Sequence, residues 1–270
     1  MNATIEIVEP GVATTLQDRG RPGYAHLGVS PSGAVDPWLA ALVNRLVGNP
    51  AGATVLETCG GLVLRATGHV LVATSADPGP RTLGPGESCH VPAGRSGRLW
   101  HYVAVRGGLL AEPVLGSTSS DTLAHLGPPP CQAGDRLAVG GAPVAPIVAD
   151  IAPLADVPGV VRITAGPRVD WLADGLRALA SGPWRVTTTS RVGVRLSGVP
   201  LVRARSDELA SEGLVRGAIQ APPDGDAVMM LCDHPTTGGY PVVAVVHPDD
   251  VASLAQHAPG SEVRFRVDVA

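Results

Sequence analysis

Lysine is absent from this sequence, and all 20 basic residues among its 270 positions are arginines. A Walker-type phosphate site, a Schiff base and a biotin carrier each need a lysine amine. The chain therefore cannot supply any of these groups. We expect no biotin on this chain, and a covalent carrier would belong to a partner protein.

Charged and aromatic residues are scarce, at 16% and 3% of the sequence, whereas hydrophobic residues make up 44%. This composition predicts a compact globular protein and argues against a disordered chain. The formal net charge of −4 and the lack of a dense arginine run argue against nucleic-acid binding. No apolar run approaches the roughly 18 residues that cross a bilayer, and residues 1–10 lack a signal-peptide pattern. We expect a cytoplasmic protein with no membrane or nucleic-acid partner.

The cysteines are few and widely spaced, and they form no redox or metal-binding motif. They are Cys59, Cys89, Cys131 and Cys232, and we expect them to be reduced thiols. The histidines are also scattered, so no metal site is predicted. The sequence has no G-x-S-x-G motif, which argues against an autonomous serine hydrolase.

The 34 glycines and 26 prolines are spread along the chain between short valine-rich runs. This pattern is typical of many strands joined by tight turns. Strands are predicted at residues 54–57, 62–65, 69–74, 88–91, 98–105, 185–188, 193–196, 227–232, 242–246 and 262–267. In the last strand polar and apolar residues alternate, which predicts one buried and one solvated face. The expected fold class is mainly β.

Three segments have helical patterns. In the first, Asp36 is a candidate N-cap, Pro37 is the first helical residue, and Trp38 begins an apolar stripe. The second pattern covers residues 170–179, and a short third one covers residues 249–257. Each of the first two helices precedes a series of predicted strands.

This repeated order predicts two β-rich subdomains, each with one main helix. We place the N-terminal subdomain at residues 1–145 and the C-terminal subdomain at residues 160–270. The linker is predicted at residues 146–159, where alanine, proline and valine occur without a clear period.

A first polar segment comprises residues 17–23 and 32–36, which combine two arginines, two carboxylates and several glycines. Arginine presents a planar fork that matches a carboxylate or phosphate, and glycine lets the backbone approach a ligand closely. One interpretation is an anion site, and the alternative is a salt-bridged loop followed by an ordinary helix cap. The candidate binding residues are Gln17, Asp18, Arg19, Arg21, Ser32, Gly33 and Asp36.

A second polar segment covers residues 211–225. Glu212 and Gln220 are expected to project from strand ends into a shared cleft, where a carboxylate and an amide would orient an amide or ureide substrate. Most of the remaining segment is typical of a turn between strands. Ser211 and Gln220 are candidate binding residues, and Glu212 is a candidate catalytic residue.

A third polar segment covers residues 233–241, between two predicted buried strands, where binding groups are common. Its two threonines offer hydroxyls, and its two adjacent glycines could aim backbone N–H groups at an anion as a nest. The alternative is an elaborate hairpin without a ligand. The candidates here are Asp233 as a catalytic group and Thr236, Thr237, Gly238, Gly239 and Tyr240 as binding groups.

We expect the three polar segments to line one cleft. Glu212 and Asp233 are the candidates for proton handling or for holding Mg²⁺ there. Arg19 and Arg21 are the candidates for neutralising a transferring phosphate or a substrate carboxylate.

Six ordered motifs together resemble the biotin-dependent carboxyltransferase family over nearly the whole chain. They are Gln17-Asp18-Arg19-Gly20-Arg21-Pro22-Gly23, Pro31-Ser32-Gly33-Ala34-Val35-Asp36, Gly48-Asn49-Pro50, Ser211-Glu212-Gly213, Gly217-Ala218-Ile219-Gln220 and Thr236-Thr237-Gly238-Gly239-Tyr240-Pro241. The resemblance implies a pair of cyclophilin-like β-barrel subdomains. At residues 190–196 the chain departs from the family pattern, because Val194 stands where many members carry tyrosine.

The resemblance also implies a function. In this family, an ATP-dependent 5-oxoprolinase complex opens the lactam of 5-oxo-L-proline to L-glutamate. We expect this chain to be a subunit of such a hydrolase complex, inactive alone, with 5-oxoprolinase subunits A and B as partners. The substrate is then a small molecule, and the complex uses ATP with Mg²⁺.

Two alternatives stay open. The chain could be the carboxyltransferase subunit of a biotin-dependent, urea-type carboxylase, or a non-catalytic regulatory binding partner. Hydrolysis of allophanate by this chain is not expected, because the amidase signature of that reaction contains a lysine.

Overall fold

The computed structural model describes residues 3–94, 97–141, 144–147, 149 and 151–268. Strands account for 34% and helices for 12% of the structure, which confirms the predicted mainly-β class. The chain divides into two compact units. The first contains Met1–Arg21, Ser32–Asp121 and His125–Asp156, and the second contains Pro22–Pro31, Thr122–Ala124 and Val157–Ala270. The linker at residues 146–159 stays a prediction.

The first unit consists of two antiparallel sheets that share one hydrophobic core. Its strands are β1 (Thr4–Pro10), β2 (Thr14–Gln17), β3 (Val55–Thr58), β4 (Leu62–Ala66), β5 (Val70–Thr74), β6 (Pro80–Leu83), β7 (Ser88–Val91), β8 (His101–Val105) and β9 (Arg136–Ala138). The strand orders are β7-β4-β1-β9 and β2-β3-β8-β5-β6. Ile5 and Leu64 of one sheet pack with Leu56 and Val103 of the other.

Helix α1 of the first unit (Pro37–Leu46) begins where the sequence predicts. The Asp36 carboxylate accepts a hydrogen bond from the Leu39 N–H at 3.1 Å, and Pro37 occupies the first turn. Val43 is buried on the face that packs against β8. Trp38 does not belong to that face, since it is 72% exposed. The prediction that Trp38 belongs to the apolar stripe was wrong, because position 38 lies on the solvent side of the first turn.

The second unit contains a closed barrel. Its strands are β10 (Val160–Ala165), β11 (Pro183–Thr189), β12 (Gly193–Ser197), β13 (Glu212–Gly213), β14 (Ala218–Gln220), β15 (Ala227–Met230), β16 (Thr237–Gly238), β17 (Val242–Val246) and β18 (Glu262–Val267). The order around the barrel is β10-β17-β14-β15-β12-β11-β18, closed by parallel pairing of β10 with β18. A separate two-stranded ribbon joins β13 to β16.

The helices of the second unit are α2 (Leu176–Ala180) and α3 (Pro248–Ala255). The helix predicted from residue 170 is much shorter than expected, because the chain first forms a 3₁₀ turn at Val169–Trp171. Gly175 then adopts a φ of 55°, which α-helical backbone does not accommodate. Within the described residues, no helix is both long enough and apolar enough to cross a membrane.

Candidate functional site

In the first unit, five hydrogen bonds hold the carboxylate of Asp18. Its Oδ1 accepts from the Gly20 N–H at 2.7 Å and from the hydroxyls of Ser117 and Ser119 at 2.6 Å each. Its Oδ2 accepts from the N–H of Thr118 at 2.8 Å and from the Thr118 hydroxyl at 3.1 Å. Burial raises the pKa of Asp18, but these hydrogen bonds outweigh it and hold the pKa below its usual value. Asp18 is thus an ionised structural anchor.

The contacts of Asp18 with residues 117–119 were not predicted from the sequence. The available signal was the run Ser117-Thr118-Ser119-Ser120, whose four successive hydroxyl residues are unusual for a simple connection. Their distance from Asp18, about 100 positions along the chain, hid the contact. The run also provides the Ser120 carbonyl, which accepts from the Gln17 amide at 3.0 Å and from the Ser32 hydroxyl at 3.2 Å.

Arg21 is the second anchor of this segment. Its side chain is buried, with 1% exposure. Its Nε donates to the Val114 carbonyl at 3.2 Å, and its Nη2 donates to the Ser119 carbonyl. These contacts fix residues 114–119, and the predicted role of Arg21 in binding an anion stays a prediction.

Gly33 and Asp36 also serve the local backbone. Gly33 has a φ of 86°, and a Cβ at this position would lie 3.0 Å from the carbonyl carbon of Arg19. Besides capping α1, Asp36 donates its N–H to the hydroxyl oxygen of Tyr102 at 2.7 Å. Tyr102 in turn donates to Glu57 Oε2 at 2.7 Å.

Glu57 and Tyr102 form a buried polar pair that sequence analysis did not identify. Glu57 Oε2 also accepts from the Val35 N–H at 2.7 Å. Burial, followed by the charges of Glu57 and Asp36, raises the pKa of Tyr102 well above its ordinary value. The tyrosine therefore stays protonated and donates a hydrogen bond beneath the start of α1.

Arg19 differs from these anchored neighbours because its side chain is exposed. It runs across Gly52, where a Cβ would lie 2.4 Å from Arg19 Nε. Together with Gln17 and Asp18 it borders a cavity of about 150 Å³, whose other walls come from α1 and residues 51–55. Of the two arginines predicted in this segment, Arg19 is the one placed where a ligand can reach it.

In the second unit, the β13–β16 ribbon brings the second and third polar segments together. Glu212 is paired with Gly238, and Gly213 with Thr237. The buried amide of Gln220 donates from Nε2 to the Tyr240 carbonyl at 2.9 Å. A Cβ at Gly238 would lie 2.8 Å from Gln220 Nε2. Glu212 and Gln220 therefore approach the same short strand.

Glu212 forms a two-point ion pair with Arg168. Arg168 Nε donates to Oε2 at 3.0 Å, and its Nη2 donates to Oε1. The hydrogen bond from Arg168 lowers the pKa of Glu212, and the same contact raises the pKa of Arg168. The side chains of Glu212 and Arg168 are 27% and 38% exposed, so both members of the pair reach solvent. Sequence analysis did not identify Arg168.

The predicted anion nest at Gly238 and Gly239 is not formed in this geometry. Gly238 belongs to β16, and neither glycine has a positive φ. An alternating right- and left-handed backbone, which turns successive N–H groups to one side, is therefore missing at this pair. Thr236 uses its carbonyl to accept from Leu214 N–H at 2.9 Å, whereas Thr237 and Ser211 are exposed.

The backbone carbonyl of Ala221 accepts two hydrogen bonds from Arg203, at 3.2 Å from Nε and 2.6 Å from Nη2. The same guanidinium lies 6.0 Å from the centre of the Tyr240 ring, within cation–π range. Tyr240 is 48% exposed, so the ring and the arginine are available at the edge of the ribbon. Arg203 is a further residue that sequence analysis missed.

Asp233 is fully buried, and its carboxylate is occupied. Arg191 donates from Nε to Oδ2 and from Nη2 to Oδ1, both at 2.9 Å. The N–H and the hydroxyl of Thr122 each donate to Oδ2 at 2.8 Å. Burial raises the pKa of Asp233, but Arg191 and Thr122 together lower it below its usual value. The Asp233 carboxylate is thus enclosed by Arg191 and Thr122, and its predicted catalytic role stays a prediction.

The predicted Mg²⁺-holding role of Glu212 and Asp233 stays a prediction. No group of three or more His, Cys, Asp or Glu side chains capable of holding a metal occurs among them. Both candidate carboxylates, Glu212 and Asp233, already bind an arginine. The four cysteines are free thiols.

The structure therefore places the first polar segment mainly in one unit and the other two in the second. Residues 17–21 and 32–36 belong to the first unit, and residues 211–225 and 233–241 to the second. Convergence of all three segments on a single cleft stays a prediction.

Comparison with known proteins identifies the family. The carboxyltransferase domain, subdomain A and B, matches residues 27–267, and the chain therefore belongs to this family. It is 32% identical over 287 residues to the C subunit of the 5-oxoprolinase of Escherichia coli, covering 97% of this chain and 90% of that protein.

Solved structures share the fold. The structure of TTHA0988 has a TM-score of 0.87 and 34% identity, covering 98% of this chain and 56% of that one. The urea carboxylase of Kluyveromyces lactis has a TM-score of 0.89 and 26% identity, covering 98% of this chain and 27% of that one. The chain thus spans about half of the first structure and about a quarter of the second.

Proposed function

We propose that this chain is the C subunit of an ATP-dependent 5-oxoprolinase complex that opens 5-oxo-L-proline to L-glutamate. The observation that supports this function is mutual coverage: the alignment spans 97% of this chain and 90% of the corresponding E. coli protein. With the urea carboxylase, the chain aligns to 27% of a much longer protein. A chain that matches a separate subunit over nearly its full length is best explained as that subunit.

The proposed reaction needs activation of the lactam. An amide carbonyl is a poor electrophile, and transfer of the γ-phosphoryl group of ATP to the carbonyl oxygen, with release of ADP, converts that oxygen into a leaving group. Water then adds to the same carbon, and the C–N bond breaks with protonation of nitrogen to give a γ-glutamyl phosphate. A second water hydrolyses this acyl phosphate to glutamate and phosphate. Because this chain has no lysine and its described carboxylates do not form a metal site, we assign ATP and Mg²⁺ to the A and B subunits.

Glu212 is the residue of this chain that we assign to the lactam amide. Its carboxylate is charged, partly exposed, and held by one exchangeable arginine. A carboxylate in this state accepts a hydrogen bond from an amide N–H and orients the carbonyl for attack. Thr237, Ser211 and Tyr240 lie exposed near the same ribbon and complete the proposed binding surface.

The second candidate function is a carboxyltransferase subunit of a urea-type, biotin-dependent carboxylase. It is favoured by the TM-score of 0.89 with urea carboxylase. A carboxyltransferase receives its carboxyl group from biotin carried by another protein, so it needs bicarbonate and is blocked by avidin. A 5-oxoprolinase needs neither biotin nor bicarbonate.

Reconstitution distinguishes the two functions. We expect the chain alone to show no ATP-dependent turnover of 5-oxoproline, urea or allophanate, and the chain with its A and B partners to form glutamate. Glutamate formation should be insensitive to avidin and independent of bicarbonate. Avidin-sensitive, urea-dependent ATP turnover would reassign the chain to the carboxyltransferase. A chain that neither binds the partners nor supports either reaction would leave the regulatory alternative as the explanation.

The site assignment has its own matched control. Glu212→Gln should reduce glutamate formation about tenfold or more by removing the charged acceptor. Glu262→Gln removes another exposed glutamate of the second unit, which lies 3.9 Å from Arg185, and should leave the rate unchanged. Equal rates for the two variants would exclude Glu212 from the reaction.

A further inference from the structure

The cavity beside Arg19 has a rigid frame. Asp18, on one side of Arg19 in sequence, is fixed by its five hydrogen bonds to Gly20 and residues 117–119. Arg21, on the other side, is buried and bound to the carbonyls of Val114 and Ser119. The backbone of Arg19 is therefore held at both ends, which reduces the entropy lost when its side chain binds a ligand.

The path of the Arg19 side chain is also fixed. It crosses Gly52 so closely that a Cβ there would lie 2.4 Å from Nε and 2.8 Å from Cδ. A methyl group at position 52 would therefore displace the Arg19 side chain, although the φ of Gly52 is not in the left-handed region. The structure keeps an arginine close against the backbone at the rim of the cavity.

Within the part of the chain that the structure describes, the charge of Arg19 is not neutralised. No hydrogen bond or ion pair joins its guanidinium to another residue within the described ranges. The nearest carboxylate in sequence, Asp18, directs both oxygens to the hydroxyls and amides of residues 117–119 and Gly20. The cavity therefore presents a cation whose five N–H donors are available.

Apart from Gln17, Asp18 and Arg19, the walls are apolar. They are formed by Ala34, Pro37, Ala40, Ala41, Ala51, Ala53 and Val55. The cavity of about 150 Å³ accommodates one small ring or short chain, and it is too small to enclose a whole nucleotide.

We propose that this cavity, the Arg19 pocket, binds a compact monocarboxylate, with the carboxylate on the Arg19 guanidinium and a small ring against the alanine wall. Arginine matches a carboxylate through two parallel hydrogen bonds. Under the function proposed above, on which this step rests, the ligand is 5-oxo-L-proline, a five-membered lactam with one carboxylate, bound here as a molecule separate from the one whose amide we assign to Glu212. A nucleotide phosphate is disfavoured, because the pocket has one cation and no room for a base and sugar.

The test is direct binding, measured by isothermal titration calorimetry on the full chain and on its complex with the A and B subunits. The probes are 5-oxo-L-proline, 2-pyrrolidinone, which is the same lactam without the carboxylate, and cyclopentanecarboxylate, which keeps the carboxylate without the lactam. We expect both carboxylates to bind more tightly than 2-pyrrolidinone by about tenfold or more. Arg19→Gln should remove that preference.

Two further variants test whether binding needs the Arg19 guanidinium in its observed position or only a positive charge nearby. Gly52→Ala keeps Arg19 but displaces its side chain, so it should weaken carboxylate binding about as strongly as Arg19→Gln. Arg45→Gln removes another exposed arginine, in the last turn of α1, and should leave the affinities unchanged. Circular dichroism confirms that each variant is folded before titration.

Several results would overturn the proposal. They are the absence of carboxylate binding to both the chain and the complex, equal affinity for 2-pyrrolidinone and 5-oxo-L-proline, and unchanged affinity in Arg19→Gln. Loss of complex assembly, without loss of ligand binding, would show that Arg19 instead contacts an acidic side chain of a partner. Glutamate formation that survives Arg19→Gln with an unchanged KM would reject the pocket and retain the proposed function. If the complex binds carboxylates through Arg19 but forms no glutamate, the pocket is retained and the proposed function is rejected.

Discussion

Two arginine–carboxylate pairs in the second unit have the same chemistry and different surroundings. In both, the arginine donates from Nε and Nη2 to the two oxygens of one carboxylate. Arg191 and Asp233 are 4% and 0% exposed, whereas Arg168 and Glu212 are 38% and 27% exposed. Asp233 accepts two further hydrogen bonds from Thr122, which lies on a distant part of the chain.

Burial decides what each pair can do. In a buried ion pair, removal of either side chain leaves the other charge without a partner and without water, which is costly. The carboxylate of such a pair is not available to a substrate. An exposed ion pair contributes little to stability, because water replaces either partner, and its carboxylate can turn to a ligand. The comparison assigns Asp233 to the stability of the fold and Glu212 to the proposed site.

The largest expected effect is that of Asp233→Ala. The substitution deprives the buried Arg191 guanidinium of its carboxylate and should lower the free energy of unfolding by about 3–5 kcal/mol. Urea denaturation followed by tryptophan fluorescence measures this change. The double variant Arg191→Met/Asp233→Leu, which removes both charges, should lose less. If Asp233→Ala retained wild-type stability but lost activity in the complex, the comparison would be wrong.

A smaller loss is expected for Asp18→Asn, because an amide nitrogen replaces an oxygen that accepts hydrogen bonds from Ser117, Thr118 or Ser119. Leaving buried donors unsatisfied should cost about 1–3 kcal/mol near neutral pH. Glu9→Gln, at an exposed position of β1, is the control and should be neutral. Denaturation curves at pH 7 give both values.

The loss from Asp18→Asn should depend on pH. Because the folded pKa of Asp18 lies below its unfolded pKa of about 3.9, ionised Asp18 stabilises the fold fully above that value. This stabilisation disappears as the pH falls through the folded pKa. The difference between wild type and Asp18→Asn should therefore shrink below about pH 4, and a constant difference down to pH 2 would contradict the assignment.

The neighbouring glycines of the ribbon should respond differently to alanine. At Gly238 the new methyl would lie 2.8 Å from Gln220 Nε2 and 2.9 Å from Leu214 Cδ1, so we expect a loss of about 1–3 kcal/mol. At Gly239 the nearest atom is the Leu209 carbonyl oxygen at 3.7 Å, an ordinary contact. Gly239→Ala should keep both stability and activity. Thermal melts of the two variants, side by side, check this, and equal melting temperatures would contradict the packing described for β16.

The smallest expected effect on stability is that of Glu212→Gln. Both members of its ion pair are accessible to water, so the denaturation midpoint should stay at the wild-type value. The KM of the reconstituted complex for 5-oxoproline should nevertheless rise by about tenfold, because the substituted amide accepts more weakly than a carboxylate. A fall in the denaturation midpoint comparable to that of Asp233→Ala would remove the difference between the two pairs.

Local patterns were sufficient for several elements. The predicted strands at Ser88–Val91, Val242–Val246 and Glu262–Val267 have the observed bounds. The Asp36 cap was likewise predicted from residues within one helical turn. The strand Thr4–Pro10 was missed, although Ile5 and Ile7 alternate with polar residues, because glutamates at positions 6 and 9 obscured the pattern. The residue preferences of turns and the alternation of polar and apolar residues in strands involve only a few neighbouring residues, so they can be recognised in the sequence.

The sequence by itself determined the mainly-β class, the absence of any lysine-dependent chemistry, and the three segments in which polar side chains collect. Only the tertiary structure decided which of those side chains are available. Asp18 meets Ser117 across 99 positions, and Asp233 meets Arg191 across 42 and Thr122 across 111. Burial depends on partners brought together by folding, so Asp18, Arg21 and Asp233 became anchors while Arg19 stayed exposed and Glu212 partly exposed.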